Sequence, residues 1–172
     1  MSKKTAVILA AFLAFWIFGF TDTLKGTVLP LILKEGTLSY SLGGALLGFT
    51  YLGYFSGTMG SVFILKYSFA PYLLFFAVLF SCLGAFLFGS SAQAVFLFMA
   101  VFIIGIGSGL IDVSANVTVK MSSSPEKLGR NMNLLAFFHG LGAIMAPAFA
   151  GVVLGKTSNW QIVYQTAALI TA

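Results

Sequence analysis

Residues 6–33 read AVILAAFLAFWIFGFTDTLKGTVLPLIL, an apolar run carrying one acid, Asp22, and one base, Lys25. About 20 apolar residues take a helix across the hydrocarbon core of a bilayer, so this stretch suffices for a first span. A carboxylate at membrane depth costs at least ~2.5 kcal/mol on insertion scales and normally faces a cavity, marking a path for protons, ions or solute. Lys25 follows Asp22 by three positions, close enough for an intrahelical ion pair. It also lies nearer the outer interface, where its ammonium is placed to snorkel. Asp22 is read as a pathway residue ahead of the paired alternative. Gly19, Gly26 and Pro30 punctuate the same run and predict a loosened, broken helix around it. Lys3 and Lys4 precede the run as in a signal peptide, but its length and its charges before Pro30 identify an uncleaved span.

Outward from this stretch the pattern repeats. Breakers and charges delimit further apolar runs at 39–65, 71–90, 92–119 and 131–154, and a sixth opens at 160 and runs to 172. The sixth is too short to cross a bilayer, as expected of a helix cut short. The fold class is therefore an all-α membrane protein, one transmembrane bundle over residues 1–172. The connection from Met121 to Lys127 is the one clearly polar loop; Ser124-Pro125-Glu126 reads as the N-cap and first turn of a surface helix leading into the fifth span. With the N-terminus cytoplasmic, Lys3, Lys4, Lys66, Lys120, Lys127 and Arg130 lie inside, against Lys34 and Lys156 outside. That bias follows the positive-inside rule.

Composition agrees. The chain is 59% hydrophobic and 8% charged, with mean hydropathy +1.03, whereas soluble domains carry roughly 25% charged residues. A net charge of +5 invites a nucleic-acid reading, but the nine Lys and Arg, Lys25 apart, sit at the ends of apolar runs and form no patch. Cys82 stands alone in an apolar run, so neither a disulfide framework nor a cysteine metal site is expected. Gly44, Gly48, Gly53 and Gly57 on the second span follow small-x-x-x-small spacing, and Gly105, Gly107 and Gly109 crowd the fourth. Such residues let helices approach closely in lipid.

The remaining polar residues in the spans are the candidates for function. At a rise of ~1.5 Å per residue, Asp112 on the fourth span and His139 on the fifth lie ~10 and ~12 Å from the same membrane face. A carboxylate beside an imidazole forms a proton-handling pair, each stabilising the other's charged form. Asn116 shares a helix face with Asp112, and Asn133 falls at a similar depth. Their amides suit a hydroxyl-rich solute, or alternatively bond to each other or to a neighbouring backbone.

Three stretches carry a resemblance: Gly19-Phe-Thr-Asp22 with Gly26 and Pro30, Gly107-Ser-Gly109-Leu-Ile-Asp112-Val-Ser-Ala-Asn116, and Asn133-Leu-Leu-Ala-Phe-Phe-His139-Gly-Leu-Gly142. With the order and lengths of the spans, they resemble the N-terminal half of a major facilitator superfamily transporter, in the branch of fucose–proton symporters and sodium–glucose transporters. The resemblance implies proton coupling and substrate binding at Asp22 and Asp112, with polar residues near His139 and Asn133 lining the cavity. The loop signature after the second helix is reduced here to Gly60 and Lys66, without its acid. Residues 142–151 resemble a degenerate antiporter signature around Pro147.

These readings converge on a secondary active transporter of a sugar or similar small polar solute. It is coupled to protons (or sodium), works by alternating access with a C-terminal half, and sits in the inner or plasma membrane. Asp22, Asp112 and His139 are the proton-coupling candidates; Asp22, Asn116, Asn133 and His139 are the substrate contacts. Phe20, Phe137 and Phe138 are candidates for stacking on a sugar ring. The alternatives are an efflux antiporter for drugs or metabolites and a non-transporting half-bundle that pairs with itself. No nucleophile elbow, metal-ligand spacing or phosphate loop is present, so no enzyme activity, metal, cofactor or nucleic-acid partner is expected.

Overall fold

The computed structural model describes residues 3–65 and 70–172. Among them the chain forms six helices: α1 (Lys3–Lys34), α2 (Tyr40–Ile64), α3 (Ala70–Ser90), α4 (Ala94–Ser122), α5 (Pro125–Thr157) and α6 (Trp160–Thr171). The all-α membrane bundle expected from the apolar runs is the architecture observed. By length and composition α1, α3, α4 and α5 are apolar enough to cross a membrane. Helix α2 is 25 residues long but carries Gly, Ser, Thr and Tyr throughout, which dilutes its hydropathy.

Local chemistry sets the ends. Ser39 caps α2, its hydroxyl accepting from the Leu42 amide at 3.3 Å, and Asn159 caps α6, accepting from Gln161 at 2.8 Å. Each cap satisfies a donor that the first helical turn leaves without an intrahelical partner. Gly36, between α1 and α2, adopts φ +74°, a backbone region open mainly to glycine. Two expectations need correction. Helix α1 is continuous through Gly19, Gly26 and Pro30; hydroxyls of Thr21 and Thr27 bond back to the carbonyls of Ile17 and Thr23, and the run does not break around Asp22. The surface helix expected after Ser124 is not separate either. Ser124 is the N-cap and Pro125 the first turn of α5 itself, which runs unbroken to Thr157.

Helix α4 is the hub, packing on α1, α2 and α3, while α5 packs on α1 and α6 on α3. Several crossings are made backbone to backbone, α3 on α4 through Gly84 and Gly107 among them, and two frame the polar level. Gly53 and Gly57 on α2 face the carbonyls of Phe102 and Ile106, and reciprocally Gly105 and Gly109 on α4 face those of Thr50 and Tyr54. On the other side Gly19 of α1 abuts the carbonyl of His139, and Gly142 of α5 abuts that of Trp16. A Cβ at any of these positions would collide with a neighbouring main chain. Gly44 and Gly48, expected to share this packing, have nothing beside them. Of the loop signature, Gly60 also faces open space, and Lys66 lies outside the described residues.

The apolar core divides into two clusters. One joins Phe20, Leu24 and Val28 to Phe88, Ile104, Ala146 and Tyr164. The other joins Phe12 and Phe15 to Leu74, Ile111, Val119 and Leu135. Between them each long helix presents small or polar residues: Thr21, Thr50, Tyr54, Ser81, Ser108 and His139 lie at this level. The hydroxyls of Thr21 and Ser81 meet there at 3.4 Å.

The glycine crossings yield a direct test. Gly53→Ala and Gly105→Ala are each expected to cost about 1–3 kcal/mol of stability, the usual range for overpacking. Gly44→Ala and Gly48→Ala are expected to leave stability undiminished. Thermal unfolding in detergent micelles measures both, and equal behaviour of the two pairs would exclude the crossing as the cause.

Candidate functional site

The glycine crossings fix the polar side chains at the middle level, because each lies beside one. Asp22 is three residues beyond Gly19, Tyr54 adjoins Gly53, Ser108 sits between Gly107 and Gly109, and His139 is the residue whose main chain Gly19 touches. Close backbone approach therefore brings α1, α2, α4 and α5 together where the acids lie.

Asp22 is bound to Lys25, with Nζ to Oδ1 at 2.6 Å. The two partners are unequal: the Lys25 side chain is 5% exposed and that of Asp22 40%. Lys25 does not snorkel to the interface. Its ammonium stays in the bundle, and its carboxylate partner is the member that looks outward. The opening beside Asp22 has two lobes. One, of about 340 Å³, is lined by Phe18, Asp22, Tyr54, Ser108 and His139. The other, of about 290 Å³, is lined by Asp22, Lys25, Gly26 and Leu47. Thr50 and Tyr51 border both. The ion pair and the cavity, posed by the sequence as alternatives, coexist.

Asp112 is arranged differently. Tyr54 donates its phenolic hydrogen to Oδ2 of Asp112. Asn116 donates to Oδ1 at 3.0 Å and to the Asp112 carbonyl at 2.8 Å. Both carboxylate oxygens are thus occupied by neutral donors, one from α2 and one from its own helix. The expected pairing of Asp112 with His139 is not made: the Asp112 oxygens are taken by Tyr54 and Asn116, and α4 and α5 each pack more extensively on α1 than on each other. The imidazole instead meets the Phe18 ring edge-on at 4.6 Å and Phe15 at 6.2 Å. Matching depths said nothing about which way each helix face was turned.

Of the readings offered for the asparagines, the bond to a neighbouring backbone is made by Asn116, to the Asp112 carbonyl. Asn116 is used in holding Asp112 and does not meet Asn133, which is exposed on α5. The buried amide near the cytoplasmic end is Asn131, which donates to the Ser123 hydroxyl at 2.8 Å. Nor do the expected aromatics line the opening. Phe20 is buried against Trp16 and Phe149, Phe138 stacks on Phe12 at 5.3 Å, and Phe137 is exposed. The rings that do line it are Phe18, Tyr51 and Tyr54.

Tyr51, Tyr54, Thr50 and Ser108 were missed as site residues. The available signal was two tyrosines three apart in mid-span, far from the interfacial belts where Tyr is usual. Ser108 is 1% exposed, and its hydroxyl has no protein partner. A buried hydroxyl without a hydrogen bond is costly, and here it borders the lobe that holds Asp22 and His139.

Comparison with known proteins gives one result for the fold as a whole. The family model of the Major Facilitator Superfamily matches residues 11–172. No curated protein matches the chain.

The tie between α2 and α4 is testable as a double-mutant cycle. Tyr54→Phe removes a hydrogen bond to a charged group, worth about 1.5–3 kcal/mol. Combined with Asp112→Asn it is expected to be non-additive by roughly 1 kcal/mol or more. Denaturant unfolding in micelles measures the coupling; additive losses would show that the two side chains act independently.

Proposed function

The chain belongs to the major facilitator superfamily, a family of membrane transporters, and we propose that it carries a sugar or similar small polar solute coupled to protons. On this reading residues 1–172 form one half of a carrier. A second, C-terminal half completes a central pathway, and the two rock about the middle level in alternating access. The observation that carries the proposal is the asymmetry of the Asp22–Lys25 pair. A carboxylate that is 40% exposed onto a two-lobed cavity is reachable by a proton and by a solute, which no lipid-facing acid would be.

Each side chain then has a role. Asp22 accepts and releases the coupling proton. Asp112, held by Tyr54 and Asn116, orients the Tyr54 phenol that borders the lobe. Ser108 and His139 supply further polar contacts, and the faces of Phe18 and Tyr51 flank the ring of a solute. Asn133, exposed on α5, joins the pathway from the cytoplasmic side. The proposal takes the fucose–proton and sodium–glucose branch from the resemblance of the three stretches around Asp22, Asp112 and His139 alone. In the antiporter-like stretch Gly142 is already accounted for by its contact with Trp16, so that stretch adds no weight to export.

For orientation we propose a cytoplasmic N-terminus in the inner or plasma membrane. The start of α1, the end of α4 and the start of α5 share a cavity lined by Lys4, Ser123 and Lys127, so these ends lie on one side. That side also carries Lys3, Lys120 and Arg130, against Lys34 and Lys156 at the opposite ends. The excess matches a cytoplasmic face.

Proton-driven uptake of labelled neutral and acidic monosaccharides into vesicles bearing the full-length protein is the test. Asp22→Asn is expected to lower accumulation about tenfold or more, the scale of an ordinary coupling energy, while downhill exchange persists. Undiminished accumulation in the variant would remove Asp22 from the coupling step.

A further inference from the structure

We propose that the solute carries a carboxylate, and that the buried ammonium of Lys25 is its recognition site. The inference rests on the carrier reading above and names the class of molecule the cavity takes. It starts from a count of hydrogen-bond donors. A lysine ammonium has three donors, and among the described residues the side-chain partner of Lys25 is Asp22 alone. The side chain is 5% exposed, so bulk solvent does not complete its shell. It lines the lobe of about 290 Å³ in which Gly26, lacking a Cβ, leaves the approach open.

An under-filled ammonium in a low-dielectric bundle is expensive, and it is stabilised most by an anion that brings charge-assisted hydrogen bonds. A neutral sugar entering this lobe offers hydroxyls, and the charge remains compensated by Asp22 alone. A cation entering here meets the carboxylate of Asp22, which Lys25 already neutralises at 2.6 Å. Asp112 stands behind the lining of the adjoining lobe and attracts a cation little, because Tyr54 and Asn116 already occupy both of its oxygens.

The rest of the cavity suits a hydroxylated carbon skeleton. The unpartnered hydroxyl of Ser108 borders the second lobe, together with the phenol of Tyr54 and the imidazole of His139. A hydroxy-carboxylate of sugar size spans both lobes, its carboxylate at Lys25 and its hydroxyls toward Ser108. Asp22 borders both lobes, and its exposure lets it yield its place at the ammonium to the incoming group. The site therefore reads as one for sugar acids.

Uptake by the full-length protein in proteoliposomes, with D-glucuronate and D-gluconate set against D-glucose and sorbitol, decides the matter. The acids are expected to be taken up or to compete at least about tenfold better than the neutral analogues, a difference of about 1.4 kcal/mol. Lys25→Met is expected to erase that preference, and Lys25→Arg to retain it. Monodisperse elution of each variant separates a lost preference from a lost fold, and a misfolded Lys25→Met leaves the comparison in the unaltered protein to decide. Uptake of the neutral sugars with no preference for the acids overturns the inference and leaves the carrier reading standing. So does an acid preference that survives in a folded Lys25→Met. Tetraphenylphosphonium competing better than either acid overturns the inference in favour of export of organic cations. Silence across the whole panel, with folded protein, overturns both the inference and the carrier reading.

Discussion

In lipid the apolar surfaces of two helices gain nothing by leaving solvent, so something other than the hydrophobic effect must hold them together. In this bundle that role falls to main-chain contact at glycine. Gly53 and Gly57 interlock with the stretch holding Gly105 and Gly109, while Gly19 abuts the main chain of His139 and Gly142 that of Trp16. Dispersion at such short separations is summed over many atoms, and it is available only where no Cβ intervenes. The tie of Tyr54 to Asp112, the enclosure of Lys25 and the position of His139 all presuppose these two crossings.

The same crossings account for the layering of the core. Large apolar residues fill the space above and below, as two separate clusters. At the crossing level there is no room for them, and small or polar residues take their place. Polar groups at this depth must then find partners among themselves. Thr21 meets Ser81, Tyr54 and Asn116 meet Asp112, and Lys25 meets Asp22. Ser108 is left without a partner, beside the opening.

Much of this was legible in the sequence. The apolar runs marked where the helices lie, although α5 starts at Pro125, ahead of the run at 131. Asp22 and Asp112 stood out because charge in such runs is rare. What failed was azimuth. Depth along the axis paired Asp112 with His139 and Asn116 with Asn133, but Asp112 and Asn116 bond to each other and to Tyr54 instead, and Asn133 is exposed. Spacing alone did not distinguish Gly44 and Gly48, which face open space, from Gly53 and Gly57, which face α4. Tyr54 escaped notice because a tyrosine among nineteen phenylalanines reads as one more ring until its hydroxyl is seen to have a carboxylate. Pro30 suggested a broken helix, yet α1 continues through it.

The interlocking of Gly19 with the main chain of His139, and of Gly142 with that of Trp16, means that α1 and α5 cannot slide past each other without a clash. They behave as one rigid plank. Helices α2 and α4 form a second plank for the same reason. Asp22 and Lys25 ride on the first, Tyr54, Ser108 and Asp112 on the second. The distance from the carboxylate of Asp22 to the phenol of Tyr54 therefore spans the seam between the planks, and a spectroscopic ruler set across those two positions would register any change in how they fit together.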